Sequence, residues 1–120
     1  MELHKRAAPV YSSHGRRFFQ IVVNILEVSR NGARRTHVMY RANLSFDQLK
    51  RYLKILTRAR LVRLDVDKGL YWLTERGISF LKEYADLESA AKIYNSKRAT
   101  LMEIVSIGSA SFSKGSELPT

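Results

Sequence analysis

The chain contains no cysteine. A disulfide framework and a thiolate metal site are therefore both excluded, and the composition suits a reducing compartment. Histidine is scarce, and His4, His14 and His37 have no metal-ligand spacing. There is no Gly-rich phosphate loop and no nucleophile elbow. Acidic side chains number 11 against 21 Lys and Arg, and they lie scattered rather than paired for acid–base work. Catalysis, a bound metal and a cofactor find no support, and no small-molecule ligand is indicated. No apolar run is long enough to span a bilayer. Lys5 and Arg6 precede no apolar stretch of the kind a secretion signal needs. The expected setting is the cytoplasm.

What the chain does have is positive charge, unevenly placed. Its 120 residues, 45% of them hydrophobic, suit one domain with one core. Residues 1–44 carry eight basic side chains against Glu2 and Glu27. Residues 45–73 carry seven against Asp47, Asp65 and Asp67, and residues 74–120 carry six against six. The whole excess of +10 therefore sits in the first 73 residues. Such a split suggests a head that binds a polyanion and a neutral arm that binds something else.

Residues 1–15 include Pro9, Ser12, Ser13 and Gly15 with little periodicity, and read as a flexible basic arm. Arg17 to Arg30 reads as a helix, with Phe19, Val22, Val23 and Leu26 in one stripe. Ile21, Ile25 and Val28 extend its apolar surface round the other side. The expectation is a helix covered twice, by the domain core and by a partner. Asn31-Gly32 ends it.

Thr36 is the expected N-cap of a short second helix through about Ala42, with Val38 and Met39 inward. A tight Asn43-Leu44-Ser45 turn follows. Ser45 and Gln48 form a Ser-x-x-Gln capping box for a third helix that ends near Arg58 or Ala59. Phe46, Leu49, Leu53 and Leu56 share one arc of it. Leu61 to Asp65 alternates apolar and polar, Asp67-Lys68-Gly69 is a turn signal, and Leu70 to Leu73 can return antiparallel. Thr74 caps the last helix, with Glu75 at its positive end.

Nothing breaks that last helix between Glu75 and about Ser106, a span of roughly 48 Å that predicts a projecting arm. Phe80, Tyr84, Leu87, Ala91, Tyr94, Arg98, Leu101 and Val105 alternate steps of four and three, a heptad seam with Arg98 as its polar interruption. Ile78 and Leu81 flank the seam and are expected to pack into the head. An apolar seam on a projecting helix needs a partner, and a second copy is the simplest one. Gly108 to Thr120 is rich in Ser and Gly and is expected to be disordered.

Helix, turn, helix and then hairpin is the order by which many proteins reach the major groove of DNA. With Leu49 central to the buried arc, Asp47, Arg51, Lys54 and Arg58 fall opposite. Gln can read adenine, Arg guanine, and Asp can accept from cytosine. Ser45, Gln48 and Arg51 are the candidates for base edges. Arg34, Arg35, Thr36, Lys50, Lys54, Arg58 and Lys68 are the candidates for phosphates. Tyr40 either joins the core or turns its hydroxyl to a phosphate. His37 reads as a surface residue.

Thr36, Met39-Tyr40, Ala42-Asn43-Leu44-Ser45, Leu49, Tyr52-Leu53, Leu61, Leu73-Thr74, Gly77 and Phe80-Leu81 together resemble the small archaeal winged-helix DNA-binding proteins of the Sulfolobus chromatin-protein type. The likeness covers about half the chain. It implies a homodimer whose long C-terminal helices pair as an antiparallel coiled coil, and it implies either a nucleoid protein or a transcription regulator. Relatives usually carry glycine just before the first wing strand, where this chain has Arg60.

The expected fold is mainly α (α+β): residues 1–15 a basic arm, 16–76 a winged helix-turn-helix head, 77–107 a dimerisation helix and 108–120 a tail. The expected partners are double-stranded DNA and a second copy, with no membrane, in the cytoplasm and associated with the nucleoid. The expected function is transcription regulation. Two alternatives are a sequence-tolerant architectural chromatin protein and a winged-helix protein-interaction module without DNA binding, the latter motivated by Ile21, Ile25 and Val28.

Overall fold

A computed structural model describes residues 13–115, with side chains from 17 to 108. Most of the expected N-terminal arm and the last five residues of the expected tail lie outside the described residues. The chain divides into two compact units, Met1–Lys82 and Glu83–Thr120. Along the chain come α1 (Ser13–Val28), a 3-10 turn (Ser29–Asn31), α2 (Arg35–Ala42), α3 (Phe46–Arg58), β1 (Val62–Asp65), β2 (Leu70–Leu73) and α4 (Glu75–Gly115). Among the described residues the second unit consists of the later part of α4.

The core of the first unit is built by Val22, Ile25 and Leu26 from α1, Val38 from α2, Leu49, Leu53 and Leu56 from α3, and Val62 from β1. Leu81 of α4 closes it, with Phe19 and Phe80 meeting edge-on at 6.0 Å. Here one expectation is overturned. Ile21 and Ile25 are only 7% and 0% exposed, and Val28 packs half-buried against the same core. The second apolar side of α1 is thus covered from within its own chain. Phe80 and Leu81 pack into the head, whereas Ile78 stays 39% exposed.

Backbone hydrogen bonds explain where the helices start and stop. The Ser29 hydroxyl donates back to Ile25 O at 2.8 Å, and Gly32 at φ 80° turns the chain out of the 3-10 segment. A side chain at Gly32 would collide with the Trp72 indole, 2.8 Å away. Helix α2 starts one residue before Thr36, and its N-cap, Arg34, offers no side-chain cap. Thr36 therefore lies inside the first turn. The start is set instead by a tertiary clip: Ala33 N donates to Tyr71 O at 2.9 Å, and Tyr71 N donates to Ala33 O at 2.8 Å. This isolated bridge brings residue 33 to the edge of the β1–β2 ladder. That ladder is antiparallel, with Val62 opposite Leu73 and Asp65 opposite Leu70.

Asn43, left-handed at φ 55°, ends α2, and Leu44 N closes a bond to Met39 O at 3.1 Å. The Ser45–Gln48 capping box forms as the sequence predicts. At the far end of α3, Arg60 adopts φ 63°, the conformation for which glycine is better suited. The Thr74 hydroxyl donates to Arg60 O at 2.7 Å and accepts from Gly77 N at 2.9 Å, so it joins the end of α3 to the start of α4. Arg76 adds a second tie through Nε to Ala59 O at 2.9 Å. Gly77 itself lies against Leu61 O and the Leu73 side chain, with no room for a Cβ.

Helix α1 begins at Ser13 and α4 runs to Gly115, beyond the expected limits at both ends. Extending an existing helix needs no new nucleus. Ser and Gly cost only about 0.5–1 kcal/mol each inside a helix, and the two prolines, Pro9 and Pro119, lie outside both helices.

Candidate nucleic-acid interface

Helix α3 presents two opposite faces. Leu49, Leu53 and Leu56 point into the core, and Asp47, Arg51, Lys54 and Arg58 are all exposed. Asp47, Lys50, Arg51 and Lys54 line one shallow, open depression. The cations there are uncompensated. Among the described residues the ion pair is that of Glu27 with Arg30, at 2.6 Å on α1. Glu27 holds the Arg30 guanidinium above its ordinary range, by hydrogen bond first and charge second. No carboxylate among the described residues comes within ion-pair distance of Arg51, Lys54 or Arg58.

The three expected base readers are not equally open to a ligand. Ser45 Oγ accepts from Gln48 N at 3.2 Å, and Gln48 Oε1 accepts from Ser45 N at 2.9 Å. Bidentate reading of adenine needs the amide oxygen and nitrogen of glutamine together. The capping box occupies that oxygen, and Gln48 is half-buried. Arg51 is the member of the three whose polar group is uncommitted.

The phosphate candidates fall into two groups. Lys50, Lys54 and Arg58 stand on α3. Arg34, Arg35 and Thr36, at the start of α2, border an open concavity whose other wall is Leu64, Val66 and Tyr71 of the wing. Lys68 occupies the wing turn, where Gly69 (φ 66°) donates to Asp65 O at 2.8 Å and Lys68 N donates to Asp65 Oδ1 at 3.3 Å. Arg34 Nη1 reaches Lys68 O at 3.4 Å, a long hydrogen bond that leaves most of its donors open. The Lys50 ammonium lies 5.3 Å from the centre of the Phe46 ring.

Two features, Arg63 and Val66, went unmarked in the sequence, and Tyr40, left open between core and phosphate, is now placed. Arg63 is exposed on β1, opposite Trp72; strand alternation carried that signal. Val66, 78% exposed, sits at the wing tip. Tyr40 is also 78% exposed, so its ring is not in the core. His37 is exposed, as its position predicts.

In the second unit the seam residues Leu87, Tyr94, Leu101 and Val105 are 46–64% exposed. Ile93, Met102, Ile104 and Ile107 add to this apolar surface. Among the described residues no helix is long and apolar enough to cross a membrane.

No curated protein matches the chain in sequence. Residues 16–92, by contrast, match the family model for winged helix-turn-helix domains. That match spans α2, the Asn43–Ser45 turn, α3 and the β1–β2 wing, the same parts that assemble the exposed basic surface. By fold and by family match alike, the chain belongs to the winged helix-turn-helix family.

Proposed function

We propose that the chain is a homodimeric DNA-binding protein that regulates transcription, laying α3 in the major groove and the β1–β2 wing on the flanking backbone. The observation that carries this reading is the α3 ridge, where Arg51, Lys54 and Arg58 are exposed and unneutralised opposite a fully buried face. Cations held free on a docking helix gain most from a polyanion, because each phosphate neutralised releases counterions. The second basic group, beside the wing, suits binding to the DNA backbone.

The test is binding to duplex DNA across a salt series. Wild type is expected to lose affinity steeply with salt. Arg51→Ala with Lys54→Ala should bind more weakly and with a shallower slope, by about one unit for each phosphate no longer neutralised. Equal, salt-independent weak binding by both proteins overturns the reading.

Homodimerisation is supported by the exposed seam on α4, which a second copy would cover. The likeness to archaeal chromatin proteins supports an antiparallel pairing and a place on the nucleoid. One observation favours the architectural variant: the capping box removes Ser45 and Gln48 from easy base reading. That variant predicts similar affinity for all duplexes. The interaction-module reading loses its motive, since Ile21 and Ile25 are buried.

A further inference from the structure

Asp47 is the anomaly of the basic ridge. It is exposed and shares its depression with Lys50, Arg51 and Lys54. Two of those cations stand at helical spacings that commonly form ion pairs, i+3 and i+4. Yet among the described residues Asp47 pairs with neither. Lys50 is turned over the Phe46 ring instead. The carboxylate is therefore left open on the face that is proposed to meet a polyanion.

A bare carboxylate facing phosphates is repelled, and facing guanine O6/N7 or thymine O4 it meets only acceptors. The major-groove groups that it can meet favourably are the exocyclic amines of cytosine and adenine. Adenine places its N7 acceptor beside the amine, where the second carboxylate oxygen would sit. Cytosine presents the amine without a neighbouring acceptor on the same base. We propose that Asp47 is a specificity-determining residue that selects cytosine in the major groove, beside an Arg51 that selects guanine. One helical turn separates the two, about 6 Å along the axis. Base steps are about 3.4 Å, so the two readings fall on base pairs within about two steps of each other.

This inference rests on the DNA-binding reading above, and it makes the chain a reader of sequence rather than a general packer. It is tested by selecting bound fragments from random duplex DNA with wild type and with Asp47→Asn. The asparagine keeps the shape but can donate as well as accept. Wild type should yield a motif with a cytosine column within about two positions of a guanine column. Placing thymine at that cytosine should weaken binding by about tenfold to a hundredfold. Asp47→Asn should flatten the cytosine column and leave the others and the salt slope in place. A purely structural role for Asp47, favouring the positive end of α3, would shift the melting temperature and leave the column unchanged. A wild-type motif that survives Asp47→Asn intact overturns this proposal and leaves DNA binding standing. Salt-dependent binding without any motif does the same. If wild type binds no duplex at all, both this proposal and the reading beneath it fall.

Discussion

Arg60 carries a backbone conformation that costs a side chain about 1–2 kcal/mol. It is held there by its neighbours: its N–H donates to Thr57 O at 3.0 Å, and its carbonyl accepts from the Thr74 hydroxyl. Arg60→Gly should therefore raise stability by about 1 kcal/mol in chemical denaturation, even though it removes an exposed cation. Gly77 is the reverse case. A Cβ there would collide with Leu61 O and the Leu73 side chain, so Gly77→Ala forces the start of α4 away from Leu61 and β2. A loss of about 1–3 kcal/mol is expected from the same measurement. Ser45→Ala should cost about 1 kcal/mol by opening the capping box. It leaves the bond from the residue-45 amide to Gln48 Oε1 in place, so Gln48 stays committed and the change is expected in stability rather than in any selected DNA motif.

At the scale of elements, helix–turn–helix and wing were legible because each rests on local chemistry. The Ser45–Gln48 box, the buried arc Leu49–Leu53–Leu56 and the Gly69 turn all announce themselves within a few residues. The start of α2 did not, because a bond from Ala33 to Tyr71, distant in sequence, sets it and not a capping side chain. The burial of Ile21 and Ile25 was hidden for a related reason. Periodicity shows that two sides of α1 are apolar, but only the tertiary fold shows that one chain covers both. The candidate site was legible as a ridge. Which of its members are free was not, since that depends on side-chain bonds such as Gln48 Oε1 to Ser45 N. The wing's own prediction follows from its grouping with Arg34 and Arg35. If the wing rests on backbone, Lys68→Ala should weaken binding to all duplexes alike and lower the salt slope by about one, without altering any selected motif.

For the whole molecule, charge separates a basic head from a neutral helix. The excess of charge ends at residue 73, before α4 begins. Leu101 and Val105 are 62% and 61% exposed on the later part of α4. If a second copy covers them, stability will depend on protein concentration. Leu101→Asp should then give a monomer by analytical ultracentrifugation, with a melting temperature that no longer rises with concentration. The same variant should bind a single half-site with a salt slope about half that of the dimer, because one α3 ridge rather than two then meets the phosphates.

The clip between Ala33 and Tyr71 has a kinetic consequence. Ala33 belongs to no helix and no named strand, and an amide in such a segment would ordinarily exchange with solvent quickly. Its N–H is instead locked to the wing, and the wing's Tyr71 N–H is locked to it in return. The two amides should open together, at a rate set by the cooperative unit that joins wing to helix–turn–helix. In deuterium exchange they would behave as one reporter of whether the helix–turn–helix and the wing move as a single body.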